Sequence, residues 1–283
     1  MVTPMTPGGE VDLDRAQALA DRLVGQGNDG LVISGTTGEA PTTSNREKSE
    51  LVRAVVDAVG SRAMVLAGVG TNDTRHSVEL ARDAEKAGAH GVLLVTPYYS
   101  KPPQAGIIAH TVAVADATGL PMMLYDIPAR TGVALTTDTL VRLSEHRAIV
   151  AVKDAKDDLV ATAQLVSRCD LAVYSGTDAL NLPLLSLGAA GVVSVASHVV
   201  TEQLLAMVRA YRAGDVDTAS SLDRSLQPVY AAIFRSQGAL MAKAALALLD
   251  FPVGPVRLPL VEATRAEVER LRGELADAGL LPT

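Results

Sequence analysis

An α/β fold, a (β/α)8 TIM barrel with a C-terminal helical extension, is predicted from three observations. Short apolar runs recur along the chain, they are continuous rather than alternating, and helical patterns separate them. A strand buried on both faces produces that continuity, and burial on both faces marks a parallel sheet. The runs are Leu31-Val-Ile, Met64-Val-Leu-Ala, Val92-Leu-Leu-Val, Met122-Met-Leu-Tyr, Ala148-Ile-Val-Ala-Val, Leu171-Ala-Val-Tyr and Val192-Val-Ser-Val, with Val2-Thr3 as an eighth, very short one at the start. Their starts lie about 20–30 residues apart, room for one helix each. A doubly wound sheet has the same alternation and stays open at this point.

The intervening helices carry boundary signals. Ser44-x-x-Glu47 is a capping box ahead of Leu51, Ala54, Val55, Ala58 and Val59 on one face. Thr201 is expected to cap a helix through Leu204, Leu205 and Val208 that stops at Gly214. From about Asp217 no strand run appears. Helical pattern continues through Met241–Leu249 and from Val261 to Leu275, where Thr264-x-x-Glu267 forms a second capping box. Residues 1–216 are therefore expected to form the barrel, with its active site at the C-terminal rim, and residues 217–283 an α-helical region.

Composition narrows the function. The 283 residues carry 25 Lys+Arg against 32 Asp+Glu, a net charge of −7. That surplus argues against a nucleic-acid partner, which needs clustered Lys and Arg. Cys169 is the lone cysteine, so no disulfide framework and no Cys-based zinc site can form. The N-terminal residues lack a basic n-region and a long apolar run, and no apolar stretch reaches the ~18 residues of a membrane span. A reducing, cytoplasmic setting is expected.

Metal and nucleotide chemistry have little support. His76, His90, His110, His146 and His198 include no His-x-x-x-His or His-Glu-x-x-His pair. Gly68-Val-Gly70 opens a dinucleotide-like turn, yet Asp73 occupies the third glycine position, and no Gly-Lys-Ser/Thr is present.

Lysine is more informative. Lys48, Lys86 and Lys156 sit in polar helical contexts where a solvated role is the default. Lys101 lies in the loop Thr96-Pro-Tyr-Tyr-Ser-Lys-Pro-Pro. Lys243 lies in a helical run, from which a long stem can snorkel outward. Lys153 instead ends the apolar strand Ala148–Val152. Desolvation there would favour a neutral amine able to attack a carbonyl, while pairing with Asp154 or simple solvation is the plainer role. Barrel enzymes build their sites at the C-terminal ends of the strands. That rim would gather Ser34-Gly-Thr-Thr-Gly-Glu39, Thr96-Pro-Tyr-Tyr99, Tyr125-Asp-Ile-Pro-Ala-Arg-Thr-Gly132, Lys153, Ser175-Gly176 and Ser194. Each has a bland alternative, such as a plain turn, a packing pair of tyrosines or a surface arginine.

Gly35-Thr-Thr-Gly-Glu39, Thr96-Pro-Tyr-Tyr99, Tyr125-x-x-Pro-x-Arg-Thr-Gly132 and Val152-Lys-Asp-Ala155 together resemble the dihydrodipicolinate synthase family of pyruvate-dependent class I aldolases, which also includes N-acetylneuraminate lyase. The resemblance covers essentially the whole chain. It implies that Lys153 forms a Schiff base with pyruvate and that the enamine attacks aspartate 4-semialdehyde to give 4-hydroxy-tetrahydrodipicolinate. It makes Tyr125 the proton shuttle, linked through Thr36 to Tyr99, which in the family reaches in from a neighbouring subunit. Thr37 would hold the pyruvate carboxylate, Val193 and Gly176 would line the pocket, and Arg130 would grip the carboxylate of the semialdehyde. No metal or dissociable cofactor is implied, and the expected assembly is a homotetramer built as a dimer of dimers.

Several positions depart from the family pattern. The start at Met1 is shorter than in most members, so the first strand is expected to be clipped. Asp126 stands where many have Asn, and Gly176-Thr177-Asp178 replaces Gly-Asp-Asp. Asn72 and Tyr98 match a lysine-feedback site, whereas Lys48 and His76 stand where a His and a Glu are expected. Weak or absent lysine inhibition follows, since a cationic effector would face a cation. The competing readings are an aldolase acting on a sugar acid, as in N-acetylneuraminate lyase or 2-keto-3-deoxygluconate aldolase, and a non-catalytic binding role. Arg130 favours the synthase over the first, and the presence of both Lys153 and Tyr125 disfavours the second.

Overall fold

The computed structural model describes residues 1–282. They form two compact units, one of residues 1–63 with 195–282 and one of residues 64–194.

In chain order, the first unit opens with α1 (Leu13–Gly25), β1 (Gly30–Ile33) and α2 (Asn45–Val59). The expected capping box is present: Ser44 accepts from the Glu47 amide while the Glu47 carboxylate accepts from the Ser44 amide. Val2-Thr3 is not a ladder strand. Instead the Met1 amino group donates to the Val32 carbonyl at 2.7 Å, and Met5 and Val11 form an antiparallel bridge nearby. Pro4 has no amide hydrogen with which to extend a ladder.

The second unit alternates strand and helix: β2 (Met64–Gly68), α3 (Thr74–Lys86), β3 (Gly91–Val95), α4 (Gln104–Ala115), β4 (Met122–Asp126), the short α5 (Pro128–Thr131), α6 (Thr137–Ser144), β5 (Ile149–Asp154), α7 (Leu159–Val166), β6 (Ala172–Ser175), α8 (Asn181–Ser186) and β7 (Gly191–Val192). β2 to β7 pair in sequence order, and every pairing is parallel. The apolar runs at β3 and β4 are buried almost throughout, as their continuity predicted, whereas β2 and β6 alternate. The last run is shorter than expected. β7 ends at Val192, and the ladder gains one more bond when the Val193 amide donates to the Ser175 carbonyl.

The first unit resumes with α9 (Ser197–Arg212), α10 (Val216–Ile233), α11 (Gly238–Leu248) and α12 (Arg265–Asp277). α12 begins at the predicted Thr264–Glu267 box. Thr201 does not cap α9. The helix starts at Ser197 and kinks at Val200, and the Thr201 hydroxyl donates back to the Ser197 carbonyl. That carbonyl lies one turn earlier, where a threonine inside a helix finds its nearest acceptor. Leu226, Val229, Tyr230, Ile233, Met241, Ala245, Leu271 and Leu275 pack α10, α11 and α12 into one apolar cluster with Val199 and Val200 of α9. Among the described residues no helix is long and apolar enough to cross a membrane.

Candidate active site

Parallel pairing brings the second unit's chemistry together. Tyr125 on β4 and Lys153 on β5 are register partners, and Lys153 is also the partner of Tyr174 on β6. Partners in adjacent strands project to the same face of a sheet. The Lys153 Nζ accordingly stands 4.3 Å from the centre of the Tyr125 ring. Both residues are buried, Lys153 with 8% of its surface exposed. Its nitrogen has no hydrogen-bond or ion-pair partner among the described residues. A buried lysine nitrogen without a carboxylate is unusual, and here the face of the Tyr125 ring is what meets it. The expected alternative of pairing with Asp154 is excluded, since that carboxylate accepts from the Lys156 amide at 3.0 Å and from the Thr162 hydroxyl at 2.5 Å.

Gly176 explains how the lysine stem passes. A β-carbon at Gly176 would fall 2.9 Å from both Cγ and Cε of Lys153 and 3.0 Å from the Asp154 carbonyl oxygen. Only glycine leaves that room. The Gly176 amide also donates to the Asp154 carbonyl at 2.7 Å, tying the strand end behind the lysine. Thr96 doubles the support at Tyr125: its amide and its hydroxyl both donate to the Tyr125 carbonyl, at 3.1 and 3.2 Å.

Arg130 lies on α5, directly after β4, and its guanidinium is exposed and has no partner among the described residues. Gly132 ends this turn in the left-handed region at φ 77°, and its missing side chain makes space for the Lys101 stem. The loop is clamped at its far end. Gln104 donates to the Ala134 carbonyl and accepts from the Thr136 amide and the Thr139 hydroxyl. Asp126 accepts from the Leu135 amide at 3.1 Å, while Lys156 reaches the Leu135 carbonyl at 3.3 Å and the other Asp126 oxygen at 3.5 Å. Lys156 is thus a half-buried clamp rather than a solvated residue, because two carboxylates, Asp126 and its register partner Asp154, end adjacent strands beside it. Burial pushes the Asp126 carboxyl up to about 6.

Tyr99 takes a left-handed backbone, φ 72°, and leaves 88% of its surface exposed. Within this one chain its phenol therefore meets little protein. Val193 sits at the end of β7 on the bond to Ser175 already described. The second unit thus brings Lys153, Tyr125 and Gly176 into contact and carries Arg130, Tyr99 and Val193 at the strand ends or in the loops that follow.

Thr36 and Thr37 belong to the first unit. They are the central residues of a turn closed by the Gly38 amide on the Gly35 carbonyl at 3.0 Å. A β-carbon at Gly38 would crowd the Ser34 amide at 3.1 Å and the Met1 carbonyl at 3.2 Å. The turn leads into Glu39, which is buried and paired with Lys243 at 2.6 Å. Lys243 does not snorkel. Its nitrogen also donates to the Pro255 carbonyl at 2.5 Å, so the whole side chain is drawn inward. Lys48 is likewise turned in, onto the Thr43 carbonyl, and burial lowers it to about 8. Among the described residues no cluster of His, Cys, Asp and Glu is placed to hold a metal ion.

Comparison with known proteins gives one answer. The model of the dihydrodipicolinate synthetase family matches residues 1–278. A 4-hydroxy-tetrahydrodipicolinate synthase of Acidothermus cellulolyticus is 63% identical over 279 residues, 99% of this chain and 91% of that protein. Another, from Streptomyces coelicolor, is 60% identical over 280 residues, covering 99% of this chain and 94% of its own length. Among solved structures, the dihydrodipicolinate synthase of Cyanidioschyzon merolae with lysine bound is 43% identical, with a TM-score of 0.97 and coverage of 99% of this chain and 97% of that one. The fold class is the (β/α)8 barrel with a C-terminal helical extension, as expected, and the doubly wound alternative is set aside. The chain belongs to the dihydrodipicolinate synthetase family.

Proposed function

We propose that this enzyme condenses pyruvate with L-aspartate 4-semialdehyde to give 4-hydroxy-tetrahydrodipicolinate, with Lys153 as the nucleophile. The observation that carries the reading is the partnerless, buried Lys153 nitrogen set over Tyr125, in a chain 60–63% identical to synthases of that name. The Lys153 amine attacks the ketone carbon of pyruvate, and loss of water gives a protonated imine. This imine draws electrons from the methyl group, which gives up a proton and becomes an enamine carbon. That carbon attacks the aldehyde, whose oxygen takes up a proton to become the hydroxyl. The amino group of the semialdehyde then adds to the imine carbon and expels Lys153 as the free amine, closing the ring. One water is released in all.

Tyr125 suits the proton transfers, because a phenol both donates and accepts. Its ring, 4.3 Å from the Lys153 nitrogen, supports that role. Arg130 offers an unpaired guanidinium, suited to bidentate hold of the semialdehyde carboxylate. Thr37 with the amides of its turn is assigned to the pyruvate carboxylate, and Val193 and Gly176 to the pocket wall. The exposure of Tyr99 supports a role completed by a second copy, hence a homo-oligomer, with a tetramer as the form expected. Thr36 is assigned to the same proton relay. The reaction as written uses no metal and no dissociable cofactor, and the enzyme is assigned to the cytoplasm. Lysine is expected to inhibit weakly or not at all, with Lys48 and His76 in place of the His and Glu of responsive members.

Two assays test the reading. With pyruvate and aspartate semialdehyde, turnover is expected; with pyruvate and N-acetylmannosamine or a sugar-derived aldehyde, none is. Preference for the sugar substrates would overturn it in favour of the sugar-acid aldolases.

A further inference from the structure

We propose that Glu39, held by Lys243 and Arg257, is the positioning residue of the Thr36–Thr37 turn and thereby sets affinity for the keto-acid carboxylate. This rests on the assignment of that turn to pyruvate made above.

Glu39 is in the left-handed region at φ 56°, and it is buried. That backbone is unfavourable for any residue with a β-carbon, and glycine would adopt it freely. A glutamate at this point needs another account, and its carboxylate supplies one. One oxygen accepts from Lys243 Nζ at 2.6 Å and the other from the Arg257 amide at 2.8 Å. Its amide in turn donates to the Thr36 carbonyl at 3.2 Å, so the side-chain anchor and the turn share one residue.

The other end of the segment is held by Arg257 again, through its guanidinium. The Arg257 guanidinium reaches both Glu47 oxygens, at 2.5 and 3.1 Å, and the Thr42 carbonyl at 2.8 Å. Glu47 is the capping residue that starts α2. Arg257 also donates to the Gly9 carbonyl, and Lys243 to the Pro255 carbonyl. Two residues of the C-terminal segment thus hold residues 36–47, Lys243 and the Arg257 amide at Glu39 and the Arg257 guanidinium at Thr42 and Glu47. Multiply bonded, with Glu39 and Lys243 buried and Glu47 and Arg257 half-buried, such a set tolerates little displacement. Release of Glu39 would let the backbone relax from the left-handed region and carry Thr37 and its neighbouring amides away from their bound position. Lys153 lies in the other unit and keeps its own supports, so the loss should fall on pyruvate affinity rather than on the chemical steps.

The test compares Glu39→Gln combined with Lys243→Met, a change that removes both charges and leaves no unpaired buried ion, with Arg257→Lys, each with and without Thr37→Val. Pyruvate KM is expected to rise about tenfold, with kcat within about threefold and the KM for the semialdehyde unchanged. On the native background Thr37→Val should raise the pyruvate KM severalfold, and on the altered backgrounds by less than about twofold, because the hydroxyl is already misplaced. A folded variant with native pyruvate KM overturns the proposal, as does an equal effect of Thr37→Val on both backgrounds. Failure of both Glu39→Gln/Lys243→Met and Arg257→Lys to fold assigns the network to stability alone and also overturns it. If the unsubstituted enzyme forms no reducible adduct with pyruvate, the assignment of function fails instead, a result visible without any substitution.

Discussion

Lys153 and Lys243 are buried to nearly the same degree, 8% and 5% exposed, yet their nitrogens meet opposite surroundings. Lys243, in the first unit, is surrounded by acceptors: the Glu39 carboxylate and the Pro255 carbonyl. Lys153, in the second, has an aromatic ring below it, a glycine beside its stem and, among the described residues, no acceptor for its nitrogen. The first setting locks the side chain into the structure. The second leaves the nitrogen unengaged, which suits the nucleophilic role proposed for it. Burial alone therefore does not distinguish the two lysines; the counter-charge does.

The comparison is broken most severely by removing the second lysine's chemistry. Lys153→Ala should reduce turnover by at least about three orders of magnitude while leaving the fold intact, measured as kcat beside a circular-dichroism melt. Lys243→Met should behave the other way, with a lowered melting temperature, because Glu39 would be left as a buried, partly unpaired anion.

Next in size is Tyr125→Phe, which keeps the ring under Lys153 but removes the phenol. A fall in kcat of about 10²–10³-fold is expected, with adduct formation slowed and pyruvate KM little changed. Gly176→Ala is the steric counterpart. Its β-carbon would overlap the Lys153 stem and displace the nitrogen, for a loss of about 10–100-fold in kcat. Native activity in Gly176→Ala would show that the stem has room to move.

The smallest effect concerns Asp126. Burial raises its pKa to about 6 in the folded protein against 3.8 for the free side chain, so the folded state binds the extra proton over that range. Stability should consequently fall as pH rises from about 4 to 6, by about 1–3 kcal/mol. Asp126→Asn, still able to accept from the Leu135 amide, should flatten that slope in urea titrations at successive pH values.

Local features were legible in the sequence wherever a short pattern decides them. Both capping boxes formed, since the residues that satisfy each other are three apart. Strands with continuous apolar runs appeared in order, and Lys153 stood out because a charge terminates one of them. The rest depended on partners far away in the chain. Lys243 looked free to snorkel because its counter-ion, Glu39, lies 204 positions earlier, and Lys156 looked solvated because Asp126 is contributed by another strand. Thr201 failed as a cap for a different reason: the helix had already begun at Ser197, and a kink at Val200 leaves no periodic signature. The role of Gly176 was equally hidden, being set by the path of a neighbouring side chain.

The claim on which the account depends is that the unpaired buried amine, and no other, bonds to the keto acid. Borohydride reduction in the presence of pyruvate, followed by peptide mass mapping, addresses it directly. A carboxyethyl increment on the peptide containing Lys153, with Lys243 unmodified, is the predicted result. An increment on Lys243, or none on Lys153, would contradict it.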